Sequence, residues 1–417
     1  MRATGAVLFH GSMPDGASGA VAATTLVTPA SVARGDGPWP VEIAEQAVAW
    51  DDGRITYVGP ADELTGAEPG WFEDCTIAPG FVDCHTHLPF AGWRADEFEA
   101  RLSGVSYREL HGEGGIYRSA RMLAQASDDE VLAFCMPLVQ EMADHGTTTL
   151  ELKSGYGLSV EDELRQLRLA RGLADEAPQT CSVTLLACHA VPEGMERAEW
   201  VRLVCDELLP AAAKDGLADA VDVYVEDIAF SVDDLAQVAR CASESGLPLR
   251  CHADQLGPSG AAEAAVALGA RSADHLNNVS AAGIAALGGA ETVGVLLPTS
   301  TLFLRSTPPN ARALLDSGAA VAIASDFNPG TSPVLSMPEV IAAACSLYGL
   351  RPLEALAAAT VNAATVLALE HDRGTLSPGR PADLVILDGD GFRQVPYRPG
   401  HNPVLHTFVD GRRVGGR

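Results

Sequence analysis

Lysine is almost missing from this chain: Lys153 and Lys214 alone occur, and the rest of the 28 basic residues are arginines. They are outnumbered by 55 acidic residues, for a formal charge of -27. A surface of that sign repels phosphate backbones, and there is no basic stripe, helix-turn-helix pattern or paired zinc-finger spacing. Nucleic acid is therefore not an expected partner. No run of 18 apolar residues is present, which argues against a membrane-spanning helix. The first residues have no sustained apolar core or cleavage pattern, so a secretory signal is not expected. The nine cysteines include no CxxC pair, and an odd, scattered set points to reduced thiols. The acidity fits a soluble, cytoplasmic protein. Charged residues make up only 20% and hydrophobic residues 47%, which excludes wholesale disorder. A chain of 417 residues suits one large domain with an appendage.

The two ends share a pattern of short strands and tight turns. Val48–Trp50 and Arg54–Val58 flank Asp51-Asp52-Gly53, a hairpin signal. Near the other end Asp383–Leu387 reads as a strand, and Thr407–Val409 and Arg412–Val414 flank Asp410-Gly411. Residues 1–75 and 371–417 are therefore expected to build one small β-sandwich-like domain.

Between them, residues 76–370, apolar runs alternate with helical segments, the pattern of parallel βαβ units. The strand candidates are Ile77–Cys84, Thr147–Leu152, Cys181–Cys188, Val221–Val225, Leu247–Cys251, Ser272–His275, Val293–Pro298 and Val321–Ser325. Helix candidates are Asp128–His145, Glu161–Asp175, Glu196–Leu209, Val232–Ser245, Gly260–Leu268, Ala281–Leu287 and Pro308–Ser317. Eight such strands predict an α/β fold, a distorted (β/α)8 TIM barrel. In such barrels chemistry sits at the carboxyl ends of the strands. The candidates there are His85, His87, Lys153, His189, Glu226, His252, His275 and Asp326.

His85 and His87 stand two apart, so on an extended strand they share a face. With His252 and Asp326 they offer three imidazoles and a carboxylate. That set suits one divalent ion, Zn2+ or Fe2+, with room for water. A bound ion lowers the pKa of such a water and makes it a nucleophile. The competing reading is a hydrogen-bonded histidine cluster. Lys153 raises a two-metal alternative, in which a modified lysine bridges two ions; a structural ion pair is the other reading. Asp326 can accept a proton from water, with His275 assisting and Asp274 a candidate to fix the His275 ring.

The run PGFVDCHTH at Pro79–His87, with His252, His275 and Asp326 after later strands, resembles the amidohydrolase superfamily. The tail GTLSPGRPADLV at Gly374–Val385 is similar to its return into a β domain. Further motifs resemble the imidazolonepropionase family. They are FAGWRADEFEARLSG at Phe90–Gly104, ELKSGYGL at Glu151–Leu158, CHAVP at Cys188–Pro192, CHADQ at Cys251–Gln255, SADHL at Ser272–Leu276 and SDFNPGTSP at Ser325–Pro333. The likeness runs from about Val48 to Val414.

This resemblance implies a reaction, the hydrolytic opening of 4-imidazolone-5-propanoate to N-formimino-L-glutamate in histidine degradation. It implies zinc or iron, a cytoplasmic location and a homodimer. It places metal ligands at His85, His87, His252 and Asp326, and the catalytic histidine at His275. Substrate contacts fall on Arg94, Tyr156, His189, Asn328, Gly330 and Thr331. Some relatives have glutamate where this chain has Gln255, and an amide is no conventional general base. Gln255 is therefore expected to bind the ring by hydrogen bonds.

Each substrate residue also has a blander reading. Arg94 suits a carboxylate, or pairs with Asp96, Glu97 or Glu99. Tyr156 bonds substrate or packs under a lid. His189 donates to a developing oxyanion or orients the core. Asn328, with the Gly330 and Thr331 amides, reads polar edges or simply makes a turn. Glu226 is a supporting contact or a structural pair. At the level of function, another cyclic amidohydrolase or a deaminase remains the alternative, and a silent small-anion binding protein is the distant one.

Overall fold

In a computed structural model, the eight apolar runs of the central region become eight parallel strands lying side by side in chain order among the described residues. The structure describes residues 8–14, 16–35, 37–106, 109 and 114–417, so the first seven residues of the expected amino-terminal portion lie outside it. The barrel strands are Phe81–Asp83, Thr147–Lys153, Thr180–Cys188, Ala220–Val225, Leu249–Ala253, Ser272–His275, Val293–Leu296 and Val321–Ile323. All their residues but Thr180 and Cys181, at the start of the third, are buried, as parallel strands covered by helices must be.

The first and eighth strands meet only at their carboxyl ends. His85 and Phe327 supply the carbonyls, accepting from Asp326 N at 2.9 Å and from His87 N at 2.8 Å. Thr86 and Phe327 form a parallel bridge there. The barrel is thus nearly closed, and distorted, with its seam at the end where chemistry is expected.

The expected strand Ile77–Cys84 is divided. Gly70–Pro79 belongs to a second sheet, while Phe81–Asp83 opens the barrel. Gly80 makes the passage: a Cβ there would fall 2.2 Å from the Thr148 side chain. Its N–H donates to Asp383 O and the next N–H, from Phe81, donates to Gly146 O. Adjacent amides therefore serve different sheets, which an apolar run cannot reveal.

The second sheet is mixed and draws on both termini. Its main path runs Arg412–Gly415, Val404–Val409, Leu384–Asp388, Gly70–Pro79, Gly19–Thr28, Val41–Asp51, Arg54–Pro60, with Phe9–His10 beside Gly70–Pro79. The Asp51–Arg54 hairpin and the Val409–Arg412 hairpin are formed as expected. Its core includes Trp50, Phe72, Ile77, Leu384, Ile386 and Phe408, and the Trp50 and Phe408 rings lie 5.5 Å apart.

The expected helices form with small changes at their ends. Asp128–Asp144 and Val232–Glu244 each begin with a reciprocal capping box, from Ser127 with Glu130 and from Ser231 with Asp234. Glu196–Leu209 is not one helix: Arg197–Leu203 passes through a π turn at Val204–Leu208 into Leu209–Lys214. Pro210 lies at the junction and lacks the N–H that a regular ladder needs. No described helix is long and apolar enough to cross a membrane. All nine cysteines are unpaired.

Candidate metal centre and substrate pocket

The carboxyl end of the barrel brings ionisable side chains together out of water. His85 is fully buried; His87, His252 and His275 are 3% exposed and Asp326 is 2% exposed. Ligand atoms of His85, His87 and His252 lie within 4.8 Å of one another, as do those of His85, His275 and Asp326. Asp326 Oδ1 is 3.2 Å from His87 Nε2 and 3.7 Å from His85 Nε2. His85 Nε2, His252 Nε2 and Asp326 Oδ2 have no hydrogen-bond partner among the described residues. Leaving such atoms dry and unpaired costs free energy. A divalent ion would satisfy them together, so the donor set fits a metal better than a self-contained histidine cluster.

Burial sets the charge of the site. It pushes His85 well below the ordinary histidine range, aided by the nearby Lys153 charge. It brings His275 to about 3, against the opposing pull of Asp326. His87 is lowered too, again by burial first. Burial would raise Asp326, but its bond to His87 and the facing His275 hold it below the usual carboxylate range. Neutral imidazoles beside an ionised carboxylate are the forms that coordinate metal. His275 and Asp326 sit at left-handed φ angles of 78° and 53°. For non-glycine residues that is unusual and turns both side chains abruptly at the strand ends.

The pairing of Asp274 differs from expectation. Its Oδ2 lies 2.6 Å from His85 Nδ1, and the structure pairs it with that ring, not with His275. The turn is at His275, the last residue of the strand, whose positive φ sends its side chain in a direction of its own. Lys153 is fully buried as an ion-pair partner, 2.7 Å from Glu151 Oε2 and 2.9 Å from Asp222 Oδ2. Arg250 closes on the other oxygen of Glu151.

Beside the donors lies a small pocket, about 360 Å3 counting the open space at its mouth. Of the expected substrate residues, Arg94, Tyr156, His189, Gln255, Asn328 and Thr331 line it. Gly330 does not; it lies beneath the Arg94 guanidinium, where a Cβ would come 2.0 Å from Nη2. The sequence reading missed two further walls, Tyr224 and Ile116. Tyr224 is on the fourth barrel strand with its ring 5.6 Å from that of His252. Inward alternation on that strand was the one signal that could have found it.

Arg94 precedes helix Ala95–Leu102 and is only 4% exposed. Its Nε is 3.4 Å from Glu97 Oε2, so one of the ion pairs weighed from sequence is present. Yet Nε and Nη1 have no hydrogen-bond partner among the described residues. Tyr156 is held by its backbone: its N–H donates to Gln166 Oε1 at 2.8 Å. Glu163 accepts from Gly155, Gly157 and Leu158, and so folds the loop around a single carboxylate. Gly155 has φ 120°, and a Cβ would press on His189 Nδ1 at 2.9 Å. His189 stacks on His87 with centroids 5.2 Å apart, and its Nδ1 lies 3.1 Å from Gly155 O. Glu226 accepts from Leu256 N at 2.8 Å, fixing the loop after Gln255.

Asn328 is a turn-former as well as a wall. Its Oδ1 accepts from Gly330 N, Thr331 N and Thr331 Oγ1, and its Nδ2 donates to Asp326 O. The two amides expected to read a ligand are therefore already engaged.

A buried imidazole–carboxylate cluster at the carboxyl end of a distorted barrel, beside a second sheet, defines a class. The chain belongs to the amidohydrolase family, whose pattern matches residues 76–414. Similar sequences are more particular. Imidazolonepropionase of Rubrobacter xylanophilus is 45% identical over 374 residues, which is 88% of this chain and 90% of that protein. Imidazolonepropionase of Rhizorhabdus wittichii is 42% identical over 374 residues, covering 88% of this chain and 94% of that one. Among solved structures, a zinc-bound adenosine deaminase from Xanthomonas campestris has a TM-score of 0.71 at 19% identity, over 95% of this chain and 92% of its own. E. coli guanine deaminase has the same TM-score at 18% identity, over 96% and 100%. At these identities the likeness establishes the fold. Family membership and the donor cluster together make this chain a metal-dependent hydrolase.

Proposed function

We propose that the protein is an imidazolonepropionase, hydrolysing 4-imidazolone-5-propanoate to N-formimino-L-glutamate in histidine degradation. The observation that carries this reading is Arg94: a buried guanidinium, ion-paired with Glu97 but with Nε and Nη1 lacking a hydrogen bond among the described residues, lines the same small pocket as the metal donors. A small heterocycle with a carboxylate arm fits that pairing, and the relatives named above carry this activity in their names. Purine deaminases share the fold, but an internal guanidinium favours an anionic substrate over a neutral base.

His85, His87, His252 and Asp326 would hold one divalent ion, Zn2+ or Fe2+. When bound, the ion supplies Lewis acidity and a water acidic enough to attack near neutral pH. Arg94 grips the propanoate, and Gln255 hydrogen-bonds the ring. Asp326 takes the proton of the attacking water through the carboxylate oxygen that would not hold the ion. His275, kept neutral by burial, orients that water and shares the proton. His189 and Tyr156 face the developing oxyanion. Collapse breaks the ring C–N bond, and the proton gained from water passes to the leaving nitrogen. One water is added, and a carboxylate and an open formimino group result. The reaction would run in the cytoplasm, in a homodimer.

Time-resolved mass spectrometry on freshly made 4-imidazolone-5-propanoate tests the assignment. Enzyme-dependent gain of one water supports it. Intact substrate in the presence of metal-loaded protein rejects it, and ammonia release from a purine or pyrimidine would favour a deaminase.

A further inference from the structure

Below the proposed ligands lies a set of charged groups that the reaction above does not use. Asp274, Asp222, Glu151 and Lys153 are each no more than 1% exposed. Asp274 Oδ2 is 2.6 Å from Nδ1 of His85. Asp222 Oδ2 is 3.0 Å from Nδ1 of His252, at ion-pair distance though not in hydrogen-bond geometry, and 2.9 Å from Lys153 Nζ. In both rings the opposite nitrogen, Nε2, has no hydrogen-bond partner among the described residues. An acceptor beside Nδ1 selects the Nδ1–H tautomer and leaves the Nε2 lone pair free for a cation.

We propose that Asp274 and Asp222 are positioning residues that fix His85 and His252 as Nε2 ligands, and that Lys153 is the internal cation that aims Asp222. An ammonium has three donors and no acceptor, so Lys153 in this form cannot ligate. It stands between Glu151 and Asp222, the carboxylates a second ion would need there, and like charge keeps a second ion away. The site is then a one-metal site because a lysine fills the neighbouring cation position. This inference rests on the metal reading of the site and not on the choice of substrate.

The test uses the full chain, Zn2+ alone and no substrate, so its failure is distinct from failure of the proposed reaction. Nitrogen-15 spectra of histidine-labelled, metal-free protein are expected to show His85 and His252 protonated at Nδ1. Protonation of both at Nε2 would overturn the proposal, and that experiment needs no variant. Chelator competition is expected to give one Zn2+ per wild-type chain. Asp274→Ala and Asp222→Ala should each weaken binding about 10- to 100-fold. Asp274→Asn and Asp222→Asn, which keep an acceptor oxygen and conserve volume, should recover most of that loss and remain testable if the alanine variants do not fold. Lys153→Met should weaken binding in the same direction, and combining it with Asp222→Ala should add little further loss. Two Zn2+ per wild-type chain, or alanine variants that bind like wild type, would sink it.

Discussion

Buried carboxylates occur both at the barrel mouth and in the terminal sheet, and they are treated in opposite ways. Asp383, beside the sheet, accepts from Arg373 Nη1 at 2.6 Å and from Asp410 N at 2.9 Å, so both of its oxygens are engaged. Asp326, at the mouth, keeps Oδ2 without a partner among the described residues. Both are buried. The difference teaches that burial alone does not mark a site; several metal-donor atoms gathered together and left unanswered do. Asp383 spends both oxygens on the chain itself, while Asp326 keeps one in reserve for an ion or a ligand.

That contrast can be broken most sharply by removing the metal. Chelation should abolish turnover and leave far-ultraviolet circular dichroism unchanged, and one equivalent of Zn2+ or Fe2+ should restore activity. Persistent turnover in fully stripped protein would refute the reserve at the mouth. Next, Asp326→Asn should cut kcat by about 10^2- to 10^4-fold, as loss of a general base does, with little change in thermal unfolding. The opposite signature belongs to the sheet. Phe408→Ala empties part of a fully buried aromatic core and should destabilise by about 3–5 kcal/mol in denaturant titration, with kcat near wild type at low temperature. Arg94→Gln should raise KM about 10- to 100-fold with a smaller effect on kcat, because a charge-assisted hydrogen bond is worth roughly 1.5–3 kcal/mol. Steady-state kinetics with unchanged KM would return Arg94 to its pairing with Glu97. The smallest effect is on the surface: Arg202 and Asp206 form an exposed pair at 3.4 Å, and Arg202→Ala should shift stability by no more than about 1 kcal/mol.

Much of this arrangement could be read from residue order. Seven of the eight barrel strands end in a polar or ionisable residue at the mouth, as Val221–Val225 does at Glu226, while Val293–Leu296 runs on into Leu297-Pro298 and was legible only as an apolar run. The proposed ligands His85, His87, His252 and Asp326 stand out in the sequence for the same reason. Helices Met337–Tyr348, Pro352–Ala358 and Val361–Val366 were not anticipated. Most of their residues are buried, so they present little polar face, and the helical period fades into a continuous apolar stretch. The Asp274–His85 pair joins residues 189 apart in the chain, and no local pattern specifies it. Asn328 illustrates a further limit. Its type and place were legible, but whether its amide faced a ligand or its own turn depended on backbone angles that only the folded chain fixes.

The seam between the first and eighth barrel strands has an engineering consequence. The backbone hydrogen bonds that zip it run from Asp326 N to His85 O and from His87 N to Phe327 O, so the residues proposed to hold the metal are also the stitches that shut the cylinder. A one-residue slip along that seam would displace the carboxylate from the imidazoles by about 3.3 Å, the rise of a parallel strand per residue. Anyone transplanting this centre into another scaffold would therefore have to move the two segments as a single cassette, with their pairing intact, rather than copy the four side chains.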